Sequence, residues 1–75
     1  MKELLTYIAQ ALVDEPDAVT VTETQKDSHL TLELRVAPGD MGKVIGRGGR
    51  VARDIRTVVK AAAPSGVRVG VDILD

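Results

Sequence analysis

The 75-residue chain has no cysteine and only one histidine, His29. Disulfides, thiolate metal sites and cysteine nucleophiles are therefore excluded, and a single histidine cannot build a metal cluster. Asp14, Glu15 and Asp17 flank Pro16 in what is predicted to be a turn, where acids are ordinary, and they do not form a glycosidase-like carboxylate pair. We therefore expect a protein that is not an enzyme and that holds neither a metal nor another cofactor.

Aromatic residues and long apolar runs are also scarce. Tyr7 is the only aromatic residue, which excludes domains that stack nucleic-acid bases on Phe, Tyr or Trp. No apolar run reaches the length of a membrane span, and the first 12 residues lack the features of a signal peptide. We expect a cytoplasmic protein whose residues 1–75 form a single domain, small enough for oligomerisation to contribute to its stability.

The charges are unevenly distributed, although the net charge is only −1. Residues 43 to 60 carry six cations and one acid, whereas the rest of the chain carries four cations and ten acids. One basic segment on an otherwise acidic chain indicates where an anionic partner docks.

The first half of the chain predicts a helix followed by a β-hairpin. Leu4, Leu5, Ile8 and Leu12 recur at helical spacing over residues 2 to 13, and Tyr7 on this helix is expected to pack against the sheet. Residues 18 to 24 and 29 to 36 alternate between apolar and polar side chains, which predicts two strands joined by the polar turn of residues 25 to 28.

The second half predicts two helices and a third strand. Asp40 is a suitable N-cap for a short helix over residues 41 to 45, and a longer helix is predicted over residues 50 to 62. Its basic residues, Arg50, Arg53, Arg56 and Lys60, are expected on the side opposite an apolar arc. Residues 67 to 73 alternate as a strand.

This order of elements predicts an α+β fold with two layers. Three helices should cover one face of a three-stranded mixed sheet, with the third strand parallel to the second because a two-helix crossover precedes it.

The glycine-rich loop of residues 46 to 49 joins the two predicted helices. A Walker loop and a dinucleotide fingerprint are both excluded, since no strand precedes the loop and position 51 is valine. Backbone N–H groups of residues 47 to 50 are suited to bind phosphates at a helix N-terminus, and Gly46 and Gly49 would let a sugar-phosphate backbone approach. The alternative is a helix C-cap and tight turn, which would need only one glycine.

Residues 44 to 55, VIGRGGRVARDI, resemble the Ile-Gly-x-x-Gly-x-x-Ile signature of KH domains, with Ala52 at the last signature position. The element order, αββααβ, resembles the type II or prokaryotic KH fold. As a whole the chain resembles the KhpA family of small bacterial KH proteins.

The resemblance implies a site that grips single-stranded RNA by its backbone. Ile45 would lie under the bases, and Val36 or Leu34 would supply a facing wall, although Val44 and Ile45 read from the sequence alone as core residues. Gly48 occupies a position where similar proteins commonly carry a basic residue, so Arg47 is the only cation within the loop. The expected RNA-binding residues are Lys43, Ile45, Gly46, Arg47, Gly48, Gly49, Arg50 and Arg53.

The resemblance also implies partners and a cellular role. These are homodimers, a complex with the larger multidomain KH protein KhpB, and action as an RNA chaperone or post-transcriptional regulator in cell-wall homeostasis and cell shape. A competing hypothesis is that the KH fold serves here mainly for protein interaction or dimerisation, with incidental nucleic-acid binding. Neither a membrane nor a small-molecule substrate is expected as a partner.

Overall fold

A computed structural model describes residues 1–74 of the chain. Short 3₁₀ turns at Pro16–Ala18, Pro38–Asp40 and Arg47–Gly49 connect some of the longer elements. The helices and strands are α1 (Lys2–Leu12), β1 (Thr20–Lys26), β2 (His29–Arg35), α2 (Met41–Ile45), α3 (Arg50–Ala61) and β3 (Arg68–Leu74). The predicted order is confirmed, and β1 begins later than predicted because the first 3₁₀ turn occupies the residues after Pro16.

The sheet has the order β1-β2-β3, with β1 antiparallel and β3 parallel to β2. Thr20 of β1 lies opposite Arg35, and Arg68 of β3 lies beside His29. Successive side chains of a strand point to opposite faces, so the leucines of β2 are buried on one face while its polar residues line the other. The predicted α+β fold with a three-stranded mixed sheet and three helices is confirmed.

The core lies between the sheet and the helices. Leu5 of α1, Leu32 and Leu34 of β2, Val44 of α2 and Val59 of α3 are completely buried. Full burial of such a side chain contributes about 1.5–3 kcal/mol, so these residues hold all three helices against the sheet.

Tyr7 does not pack against the sheet, and that prediction was wrong. Its side chain is 73% exposed, because Leu5 and Ala9 are the α1 residues that enter the core. Tyr7 lies two residues from each of them, and two residues correspond to about 200° around a helix. The N-terminus of α1 is instead tied to β1 by the N–H of Lys2, which donates to Glu23 Oε1 at 3.1 Å.

Among residues 1–74, no helix combines the length and the apolar character needed to cross a lipid bilayer.

Candidate nucleic-acid interface

The loop of residues 46 to 49 turns the chain from α2 into α3 through three glycines with left-handed backbone angles. The φ angles are 75° at Gly46, 64° at Gly48 and 79° at Gly49. Residues with a Cβ atom avoid this region, so the three glycines permit a turn that most other residues would strain.

Gly46 has a second constraint, which comes from the packing of the two helices. A Cβ atom at this position would meet Val51 Cγ2 and would lie 2.9 Å from both the Cβ and the N atom of Val51. The space that a side chain at Gly46 would need is therefore taken by Val51 of α3, so packing already requires a glycine here, and the approach of a sugar-phosphate backbone at Gly46 stays a prediction. A Cβ atom at Gly48 or at Gly49 would meet nothing within 4 Å.

Two of the four expected backbone donors are engaged within the loop itself. The N–H of Gly49 donates to the carbonyl of Gly46 at 3.1 Å, and the N–H of Arg50 donates to the carbonyl of Arg47. The N–H groups of Arg47 and Gly48 have no acceptor among the turn and loop hydrogen bonds of residues 1–74. Within residues 1–74, the tip of the loop therefore presents two N–H groups without an acceptor beside the N-terminus of α3, which favours an anion.

Three arginines lie in the loop or in the first turn of α3. Arg47, Arg50 and Arg53 are exposed, and within the described part of the chain none of them makes a salt bridge. Arg56 differs, because its Nε donates to the carbonyl of Val71 at 3.1 Å on the outer edge of β3. The basic side of α3 is therefore free near the loop and engaged in a structural contact one turn further along.

Lys43 lies between two carboxylates. Its Nζ is 3.2 Å from Asp14 Oδ2 and 3.7 Å from Asp40 Oδ1. The hydrogen bond to Asp14 and the negative charges of both acids raise the pKa of Lys43 above its usual value. The structure thus brings this predicted RNA-binding cation into contact with two acids that lie outside the basic segment.

Asp40 occupies the N-cap position of α2, as predicted, but its side chain makes no capping hydrogen bond there. Its carboxylate is instead buried and accepts the N–H groups of Asp14 at 3.2 Å and Glu15 at 3.0 Å. Burial acts to raise the pKa of Asp40, but these two hydrogen bonds and Lys43 outweigh it and lower the pKa. Sequence reasoning missed this contact, because nothing in the local pattern pairs residues so far apart along the chain.

The apolar residues before the loop divide into one that is buried and one that is accessible. Val44 is in the core, whereas Ile45 is 37% exposed beside Gly46. Leu34 is completely buried and Val36 is only 7% exposed, so neither offers the accessible wall that the sequence suggested. Ile45 is thus the apolar side chain that the structure leaves open at the loop.

Comparison with known proteins identifies the family. A family model described as KhpA/KhpB, KH domain, matches residues 2–73. The chain belongs to the KhpA/KhpB KH-domain family.

The similarity extends over the full length of curated family members. The chain is 56% identical to the RNA-binding protein KhpA of Clostridium acetobutylicum, covering 99% of this chain and 100% of that protein. It is 53% identical to the RNA-binding protein KhpA of Halalkalibacterium halodurans, with 100% of both chains covered. It is 47% identical to the RNA-binding protein KhpA of Streptomyces coelicolor, covering 100% of this chain and 92% of that one. No solved structure matches the chain.

A second surface lies on the other side of α3 in this KH domain. A shallow groove of about 300 Å³ runs between α1 and α3. Leu12 and Val58 on its walls are 39% and 49% exposed. The residues that line it are Ile8, Leu12, Val51, Asp54, Ile55 and Val58. Helical geometry places this groove on the side of α3 opposite Arg53.

Proposed function

We propose that this chain binds single-stranded RNA by its sugar-phosphate backbone, through the loop of residues 46 to 49. The observation that carries the proposal is the coincidence, at one turn, of two free backbone donors with three exposed arginines that have no salt bridge within residues 1–74. Family members with matching full-length sequences are named RNA-binding proteins, which supports the same ligand.

In this proposal each group at the loop has a separate task. The N–H groups of Arg47 and Gly48 hold a phosphate, while the side chains of Arg47, Arg50 and Arg53 neutralise that phosphate and its neighbours. Ile45 contacts the bases through its exposed surface. Since most of these contacts address the backbone, the sequence preference is limited.

The double variant Arg47→Asp, Gly48→Asp tests the proposal. It removes one cation and adds two acids at the loop, and it should fold because Gly48 has open space and aspartate tolerates left-handed angles. We expect fluorescence anisotropy to show that binding of a labelled single-stranded RNA oligomer is abolished. For the unchanged protein, the slope of log affinity against log salt should be about −2. Each neutralised phosphate contributes about −0.7, and the three arginines neutralise about three phosphates.

The double variant Lys26→Asp, Ser28→Asp is the matched control. It changes the net charge by the same amount at the turn between β1 and β2, and we expect it to bind RNA with at least a tenth of the original affinity, about the long-range effect of the added charge. Equal loss of binding in both variants, or binding by the loop variant, would contradict the proposal.

We further propose that the domain self-associates, or pairs with a KhpB-like KH protein, through the groove between α1 and α3. Exposed apolar side chains on a small domain are typical of protein contact surfaces, and a second copy would add RNA affinity through avidity. We also propose that the protein acts in the cytoplasm, not as an enzyme but as an RNA chaperone or post-transcriptional regulator in cell-wall homeostasis and cell shape. The name RNA-binding protein that its relatives carry supports the RNA-binding part of this role.

The groove also favours a second candidate function. In that alternative, the KH fold is mainly an interaction or dimerisation module, and nucleic-acid contact is incidental. It predicts RNA binding that is unaffected by the loop variant, so the same titration separates the two functions.

A further inference from the structure

We propose that Asp40 is a positioning residue for the RNA-binding loop, and that Lys43 pairs with the carboxylates of Asp40 and Asp14 instead of contacting RNA. This inference rests on the proposed function of the loop, and it identifies Lys43 as a nearby cation that does not bind phosphate.

Asp40 is both buried and hydrogen-bonded at each of its carboxylate oxygens. It is the one charged side chain among residues 1–74 that is buried, at 3% exposure. Its two carboxylate oxygens accept the N–H groups of Asp14 and Glu15, which follow the end of α1. Because it is buried, Asp40 does not contact RNA itself, so it can affect RNA binding only through its charge or through the structure that it holds.

The loop depends on this contact because α2 is short. A helix of five residues has few hydrogen bonds of its own, so contacts at its ends decide its position. At one end Asp40 is fastened to the segment after α1, and at the other end Gly46 lies against Val51. At 1.5 Å per residue, α2 is about 7.5 Å long, and a displacement of Asp40 reaches the loop directly.

Lys43 is the cation that lies between the carboxylates of Asp14 and Asp40. One ammonium group meets two carboxylates, so the three side chains together carry a net charge of −1 at neutral pH. An RNA phosphate would have to compete with both acids for Lys43, whereas the three loop arginines have no such competitor within residues 1–74. The basic segment identified from the sequence is therefore partly neutralised at its first residue.

The charge-balanced double variant Asp14→Asn, Lys43→Met tests the assignment of Lys43. It leaves the net charge unchanged, so the salt dependence of RNA binding reports phosphate contacts and not the overall field. We expect the slope of log affinity against log salt to stay within about 0.2 of the unchanged protein, whereas Arg47→Met, which removes a free cation, should reduce its magnitude by about 0.7. A reduction of about 0.7 in the double variant would show that Lys43 contacts phosphate and would overturn the assignment.

The variant Asp40→Asn tests the positioning role. An amide has one acceptor oxygen in place of two, so one backbone hydrogen bond is lost. Well below the melting temperature, we expect the amide NMR signals of Arg47, Gly48 and Gly49 to shift. RNA affinity should fall about threefold to tenfold with the salt slope unchanged, because the loop spends less time in its binding geometry.

Asp72→Asn is the matched control, since it makes the same chemical change at an exposed residue of β3 and should alter neither the loop signals nor the affinity. If Asp40→Asn does not fold, Asp40→Glu keeps the charge, displaces the carboxylate by one methylene and is read in the same way. Loop signals and affinity that stay unchanged in the folded variant would overturn the positioning role. Absence of RNA binding by the unchanged protein would instead contradict the proposed function, and the loop signals would still decide the role of Asp40.

Discussion

At Asp40, burial and hydrogen bonding act on one carboxylate in opposite directions. Burial alone raises the pKa, but the N–H groups of Asp14 and Glu15 and the ammonium of Lys43 favour the ionised form more strongly. The pKa is therefore lowered in the folded protein. A carboxylate with a lowered folded pKa stabilises the fold above its unfolded pKa, near 3.9, and loses that contribution as the pH falls through the folded pKa.

The lowered pKa of Asp40 predicts how the stability of the Asp40→Asn variant depends on pH. At pH 6 the variant should melt several degrees below the unchanged protein, because an amide replaces an ionised carboxylate that accepts two hydrogen bonds. At pH 2 the difference should shrink, since this pH lies below the unfolded pKa near 3.9, where the stabilisation by the ionised carboxylate is being lost. Melting followed by circular dichroism at both pH values measures the two differences, and equal differences would contradict the account.

Single residues also show how far the sequence could predict the site. The loop of residues 46 to 49 and its arginines were recognisable because the motif is contiguous. The contact of Asp40 with the segment after α1 was not, because its partners lie 25 and 26 residues away. Tyr7 was misplaced for a different reason, since helical periodicity alone did not fix which side of α1 would face the sheet.

At the scale of the element, α3 separates two surfaces. Its buried residues, Ala52, Ile55 and Val59, face the core. Arg50 and Arg53 lie in its first turn, next to the loop, while Val58 lines the groove beside α1. The sequence predicted one apolar arc and one basic side, but it did not show that α1 leaves part of the arc uncovered.

The uncovered part of α3 carries the prediction for self-association. Val58→Asp places a charge in the groove, where a packed partner would have to bury it, so we expect the variant to be monomeric while the unchanged protein is dimeric. Sedimentation measurements at several concentrations provide the test. Thr57→Asp makes the corresponding charge change on the exposed neighbouring position and should remain dimeric. A dimeric Val58→Asp variant, or a monomeric unchanged protein, would exclude the groove as the self-association surface.

At the scale of the whole molecule, the fold concentrates positive charge at one turn of an acidic protein. Alternating side chains in the strands and apolar residues at helical spacing in two segments were enough to predict the two layers. The two-helix crossover predicted that β3 runs parallel to β2. What the sequence could not show is that the fold brings Asp14 and Asp40 to Lys43 and Val71 to Arg56. Three arginines without a salt bridge in residues 1–74 lie in the loop and the first turn of α3, which implies a short RNA footprint for one copy of the domain.

In the proposed function, the loop of residues 46 to 49 is the surface that contacts RNA. The most direct measurement is an amide NMR titration of the unchanged, isotopically labelled protein with a short single-stranded RNA. We expect the largest shifts at Arg47 and Gly48, smaller ones at Ile45 and Arg50, and none at the turn between β1 and β2. Saturable RNA binding with its shifts centred on the groove between α1 and α3, and none at the loop, would contradict the proposed function.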